Sequence, residues 1–290
     1  MREWFPNETE KGKKMADIKQ EVTDRIIERL ENVGEFEMPF PTFGARNFKS
    51  GHVYKGINQI LIGLSGYTSP YWGTPKQWMK AGANIKGAKT TRIVFWNKKV
   101  YEDEKTGEEK FYMYPIWHFI LNSEQVTGWE PPVKEVLGDA EAIEKADSFF
   151  KNVGVETFYA SGRACYSPSN DKIQMPPMGD FKATKTSSAT ETFYSTLAHE
   201  NVHATMHKKR CDRNMDCYAS EELVAEIGAA ILCSKLEISN QVRDDHIAYI
   251  KSWLKKLKND KQFIFTASSK AQEAVEWMEE QQKDALSKAA

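Results

Sequence analysis

About two thirds of the way along the chain, His199-Glu200-Asn201-Val202-His203 forms an H-E-x-x-H motif. Two histidines four residues apart leave one face of a helix, so both rings can reach a single zinc ion. The glutamate between them is placed to take a proton from metal-bound water. That is hydrolytic chemistry, and it needs a third protein ligand. Five residues with two open positions also arise by chance, so the flanking sequence has to decide. Residues 218–230 repeat a helical pattern with an acidic stripe, in which Glu222 and Glu226 share a face. We assign Glu222 as the third ligand and Glu226 as the partner of His199 through its other ring nitrogen. Glu221 competes for the ligand role. Glu200 is then the general base and Zn2+ the cofactor. His207 continues the four-residue series, but at a rise of about 1.5 Å per residue it lies roughly 12 Å along the axis from His199, too far to join a straight-helix site. It reads as a substrate-side or exposed residue. With Tyr194 and Tyr218, it is a candidate to stabilise an oxyanion.

These groups need elements to hold them. Residues 193–198 contain neither Gly nor Pro, and Leu197, Val202 and Met206 recur at helical spacing, which predicts a helix through the motif. Upstream, residues 155–159 and 171–176 read as strands on either side of a polar turn. Residues 172–175 are the expected edge strand beside the metal helix, where a substrate backbone could be held by strand addition. A helix over 133–152 precedes them, and packing helices over 240–257 and 270–287 follow. In the amino-terminal part, residues 16–32 form an amphipathic helix with Ile18, Val22, Ile26 and Leu30 on one stripe. A short helix follows over 56–64, and Thr74 caps another over 75–81, with Pro75 suited to its first position. Strands over 91–96 and 111–120 are joined through a turn near 105–107. Pro131-Pro132 marks the boundary. The expected fold is α+β in two domains: a small α+β unit over 16–131, then a mainly helical unit with a small sheet over 132–290. Residues 1–15 read as a flexible extension.

Among the 290 residues, 40 are basic and 41 acidic, a formal net charge of −1. The balance conceals segregation. From Met38 to Tyr101 there are ten Lys or Arg and no acid, so +10 in this block is offset by −11 elsewhere. Aromatic rings are interleaved with these cations. Cations track phosphates and rings stack on unpaired bases, which together make a single-strand-binding surface. The candidate contacts are Arg46, Lys49, Tyr54, Lys55, Tyr71, Trp72, Lys76, Lys86, Lys89, Arg92 and Trp96. No apolar run has the length of a membrane span or a signal-peptide core, so the expectation is a cytoplasmic protein with no membrane partner. Its four cysteines are expected to be reduced.

Several motifs in order carry a family resemblance. The first half contains Tyr54-Lys55-Gly56-Ile57-Asn58, Ser69-Pro70-Tyr71-Trp72-Gly73-Thr74, Lys86-Gly87-Ala88-Lys89 and Asn122-Ser123-Glu124-Gln125. The second contains Tyr166-Ser167-Pro168, Asp171-Lys172-Ile173-Gln174-Met175-Pro176, the stretch 194–207, and Glu221-Glu222-Leu223-Val224-Ala225-Glu226. Over about residues 16–235 the chain resembles the ArdC family of plasmid antirestriction proteins. The resemblance implies a single-stranded-DNA-binding domain followed by a zincin-like metallopeptidase domain, in a mobile-element protein that protects incoming DNA from restriction. Two other readings stay open. The zinc domain could be catalytically idle and structural, or the protein could be a zinc protease whose basic domain docks an acidic protein.

Overall fold

The computed structural model describes residues 8–32, 44–103, 107–132, 139–183, 187–238 and 246–289. Residues 1–7 of the extension expected over 1–15, Met38, the turn residues 105 and 106, and the helix starts expected at 133 and 240 lie outside them; residues 8–15, expected to be flexible, are instead the first two turns of a helix that begins at Glu8. The elements run α1 (Glu8–Glu31), β1 (Arg46–Asn47), α2 (Ile57–Gly63), β2 (Tyr71–Gly73), α3 (Pro75–Lys80), β3 (Thr91–Glu102) and β4 (Glu109–Asn122). They continue with α4 (Asp139–Val153), β5 (Glu156–Tyr159), β6 (Cys165–Ser167), β7 (Lys172–Met175), α5 (Ala189–Ala204), α6 (Tyr218–Leu236), α7 (His246–Asn259) and α8 (Phe263–Ala289). This is the expected α+β architecture. Among the described residues no helix is long and apolar enough to cross a membrane.

The first sheet has the order β1-β2-β4-β3, which leaves β3 at an edge. Strands β3 and β4 pair over their whole length, from Thr91↔Ile120 to Glu102↔Glu109. The hairpin is longer than the expected apolar runs because polar and aromatic residues carry its outer half. Thr74 caps α3 as expected, in a reciprocal box with Gln77. Behind it, Trp78 is fully buried and its indole N–H donates to the Leu121 carbonyl at 3.0 Å.

The second sheet has the order β5-β7-β6, and it corrects one expectation. Strand β7, expected at the edge, is central: it pairs with β5 on one side and β6 on the other. Its backbone is therefore already engaged on both sides. The edge strand beside the metal helix is β6, whose Cys-Tyr-Ser sequence is too short to show alternation.

The two halves share a core. One cluster runs from Ile18, Val22 and Ile26 on α1 through Ile60 and Leu61 on α2 to α5, α6 and α8. Helix α1 also reaches the carboxy-terminal end, where Lys19 donates to Gln262 at 2.6 Å and Thr23 to the Lys261 carbonyl at 3.2 Å. The apolar stripe on α1 demanded a cover, and tertiary folding supplied it from the far end of the chain. Helices α5 and α6 pack where Gly228 meets Val202. A Cβ at Gly228 would lie 2.8 Å from both Val202 methyls, so only hydrogen fits at that crossing.

Candidate metal centre

Ser188 caps α5 through a reciprocal box with Glu191, fixing the helix that carries the motif. His199 and His203, one turn apart, direct Nε2 to Nε2 at 3.0 Å. From α6, Glu222 brings Oε2 to 3.4 Å from His199 Nε2 and Oε1 to 3.4 Å from His203 Nε2. These three residues can each offer one ligand atom within 4.8 Å of the others, and all three are buried.

The residues behind the rings set their orientation. His203 Nδ1 lies 3.4 Å from Glu221 Oε1, and His199 Nδ1 faces Glu226 Oε1 at 3.8 Å. Carboxylates on the Nδ1 sides favour the proton there, which turns both Nε2 lone pairs toward Glu222. Both Glu222 oxygens are buried without a hydrogen-bond donor. Three acceptors thus converge on one point, and a cation is what satisfies them. The residues fit a divalent metal. With no metal bound, burial opposes charging His203, yet Glu221 and Glu222 outweigh it and raise the imidazole to about 9; a cation at that point takes the place of the Nε2 proton. Burial likewise opposes ionising Glu222, but His199 and His203 hold its carboxyl far below the usual range.

Glu221, the competing ligand, is occupied elsewhere. The Arg213 guanidinium, fully buried, donates to its two oxygens at 2.9 and 2.5 Å and also to Thr205 Oγ1 and the Val202 carbonyl, each at 2.9 Å. Arg213 thus ties the loop after α5 to α6 and holds the carboxylate behind His203. The sequence reading overlooked it. An arginine among Lys208-Lys209-Arg210 and Asp212 resembles a solvated charge run, and only its burial shows otherwise. Glu226 sits where it was expected, behind His199.

Glu200 is 3% exposed and accepts a hydrogen bond from the Tyr166 backbone N–H of β6 at 2.8 Å. It faces a cleft of about 390 Å³ lined also by Cys165, His203, Tyr218 and Glu222. Tyr218 is exposed at the cleft mouth, and burial of its hydroxyl together with nearby Glu222 pushes the phenol well above its ordinary value. Tyr194 is 3% exposed in the core against Phe150 and Phe193, away from the cleft. His207 lies 3.7 Å from Asp171 Oδ2, and Asp171 also accepts from Arg210 and Tyr166 at 2.6 and 2.9 Å. Of the three oxyanion candidates, Tyr218 alone lines this cleft.

Ten of the eleven expected DNA contacts separate into three groups, and Tyr71 stands apart. Trp72 and Tyr54, at 1% and 8% exposure, pack with Ile62, Ile93 and Ile120. Their rings are core and present no face to a base, which corrects both assignments. Lys55 and Arg92 are paired with Glu276 and Glu21, and Trp96 rests against Phe265 with its centroid at 6.3 Å. The block that is acid-free in sequence thus receives acids from elsewhere in the fold. Arg46, Lys49, Lys76, Lys86 and Lys89 are exposed. Lys49 and Lys76 join Lys80, Ser50, Thr74 and Gln77 around a surface pocket with no acidic lining. Tyr71 is half-buried, edge-on to Trp129 at 5.6 Å.

Comparison with known proteins is consistent with this geometry. Residues 16–125 match the family described as the N-terminal domain of anti-restriction factor ArdC, and residues 144–270 match zincin-like metallopeptidases. The crystal structure of the antirestriction ArdC protein from the R388 plasmid, metal-free, superposes with a TM-score of 0.77 at 34% identity, covering 92% of this chain and 98% of that one. Its Mn(II)-bound form superposes at 0.72 with 33% identity, over 91% and 97%. The uncharacterized protein y4eC of Sinorhizobium fredii is 33% identical, over 93% of this chain and 94% of its own. Two DNA primases TraC of Escherichia coli share 31% and 30% identity over 89% and 87% of this chain; the match spans only 27% and 19% of their own lengths. The chain therefore belongs to the ArdC-type antirestriction protein family, an ArdC amino-terminal domain joined to a zincin-like metallopeptidase domain.

Proposed function

We propose that this protein binds single-stranded DNA through its amino-terminal half, protects incoming DNA from restriction, and carries a zinc-dependent peptide-hydrolysing centre in its carboxy-terminal half. The observation that carries the hydrolytic reading is the convergence of His199, His203 and Glu222 on one point, with Glu200 beside it at an open cleft. A structural metal would need no general base there. His199, His203 and Glu222 would hold the zinc, which when bound supplies Lewis acidity at that point. Glu200, anchored through Oε2 by the Tyr166 N–H, takes a proton at Oε1 from the water that attacks the peptide carbonyl and returns it to the leaving amine as the C–N bond breaks. Tyr218, whose phenol keeps its proton, is placed to donate to developing negative charge. The outer edge of β6 is where a peptide backbone would lie. Residues 16–131 form the DNA-binding unit and 132–290 the hydrolytic one, in a cytoplasmic protein.

The test has two arms. Elemental analysis of the purified protein should find zinc, and wild type should cleave a mixed peptide library while Glu200→Gln retains metal and does not. Zinc-loaded wild type without cleavage would reassign the metal to a structural role. In the second arm, the protein expressed in a restricting host should raise the establishment of unmodified plasmid DNA; equal establishment with and without it refutes the protective role.

A further inference from the structure

The β3–β4 hairpin exposes more large apolar side chains than any folding role explains. Side chains alternate between faces, and the register sets Phe95 opposite Ile116, Asn97 opposite Tyr114, Lys99 opposite Tyr112 and Tyr101 opposite Lys110 on one face. Close to the sheet this face is core, with Ile93 and Ile120 packed on Trp72. Further out it emerges into solvent: Phe95, Tyr101 and Tyr112 are 51%, 44% and 40% exposed. The rings form a ladder. Phe95 stacks on His118 at 4.7 Å, and Tyr112 lies 5.9 Å from Tyr114 and 6.0 Å from Tyr101. Two groups of rings on one exposed face, Phe95 with His118 and Tyr101 with Tyr112 and Tyr114, mark an interaction site.

Arrangement and charge identify the occupant. The exposed rings of Phe95, Tyr112 and Tyr101 follow one another along an extended two-stranded face, and every base of an unpaired strand has a face that can lie on such a ring. Duplex DNA keeps its base faces stacked inside and offers nothing to such a ladder. Cations lie along the shaft: Lys99 sits over Tyr112 at 5.9 Å, and Lys98 over Phe111 at 4.2 Å on the reverse face. The acids gather at the tip, where Glu102, Asp103, Glu108 and Glu109 surround the turn and Lys110 is bound to Asp103. Phosphates are therefore favoured along the shaft and repelled at the tip.

We propose that single-stranded DNA lies along this face between the sheet and Tyr101, with Phe95, Tyr112 and Tyr101 as base-stacking platforms. The proposal rests on the DNA-binding reading of the amino-terminal half, and it moves the stacking role from buried Trp72 and Tyr54 to the ribbon. Strand β4 contributes as much as β3, although it lies outside the acid-free block.

The test is fluorescence anisotropy of the full-length protein with labelled oligo(dT) over a range of salt. Phe95→Ala and Tyr112→Ala should each weaken binding by roughly 5- to 100-fold, and the double variant by more, with an unchanged salt slope because no charge is removed. Thermal melts should not move. Phe158→Ala removes a comparably exposed ring, 44%, from β5 and should bind like wild type. If wild type binds and the double variant binds equally well, the face is not the DNA site, while the DNA-binding reading stands. If wild type fails to bind oligo(dT), both are overturned. A photocrosslinking probe, oligo(dT) carrying 5-iododeoxyuridine, tests the unmodified protein: adducts should map to β3 and β4, and adducts confined elsewhere overturn the proposal.

Discussion

The metal cleft and the β3–β4 ribbon invert the usual placement of side chains. In the cleft, four carboxylates, two imidazoles and the Arg213 guanidinium are withdrawn from water. On the ribbon, Phe95, Tyr101, Phe111, Tyr112 and Phe119 are left in it. Buried charge is tolerated only where each group has a partner, so the cleft is rigid and overdetermined. Exposed rings cost folding little, so the ribbon is free to be shaped by what it meets. The contrast predicts that substitutions in the cleft damage metal binding and stability together, and that substitutions on the ribbon change binding alone.

The largest effect should come from the metal ligands. His203→Ala or Glu222→Ala is expected to lower bound zinc from about one per chain to near zero by elemental analysis, whereas Glu200→Gln keeps it. Loss of zinc in Glu221→Ala with full retention in Glu222→Ala would exchange the roles of those two glutamates.

Next are substitutions that strand buried groups or open the core. Arg213→Ala leaves the buried Glu221 carboxylate with His203 Nδ1 at 3.4 Å and without its guanidinium partner, at a cost of about 3–5 kcal/mol in urea unfolding. It should also weaken zinc affinity by roughly 10- to 100-fold, because the group orienting His203 is no longer held. Trp72→Ala removes a core ring and should cost about 3–5 kcal/mol. A Trp72→Ala protein with unchanged stability and lost DNA affinity would return that residue to the DNA surface.

Smaller still is Gly228→Ala, which forces a methyl against Val202 at the crossing of the two metal helices and should cost about 1–3 kcal/mol. Pairing it with Val202→Ala should recover part of that loss; no recovery would place the strain elsewhere. The mildest change is expected from removing Lys86 and Lys89 together, which should shallow the salt dependence of single-strand binding by about 1.4 in log–log slope without moving the melting temperature.

How much of this was legible in sequence differs between the two regions for a physical reason. A helix converts spacing into geometry without help, so His199 and His203 could be placed on one face, with Glu200 one step round the helix from them, from their numbers alone. Glu222 and Glu226 followed from the same periodicity on a second helix. Capping at Thr74, the apolar stripe of α1 and the strand pair of the hairpin were legible because each is a local pattern. Packing between distant segments was not. That Glu221 turns to Arg213, that β7 is central and β6 the edge, and that Trp72 is core while Tyr112 is surface all depend on which element arrives from elsewhere to cover a face. Lys55 and Arg92 looked like uncommitted cations until Glu276 and Glu21 came beside them. Sequence alone determined the chemistry a helix can present; tertiary structure decided which rings and charges were left for a partner, because burial is a property of the whole chain.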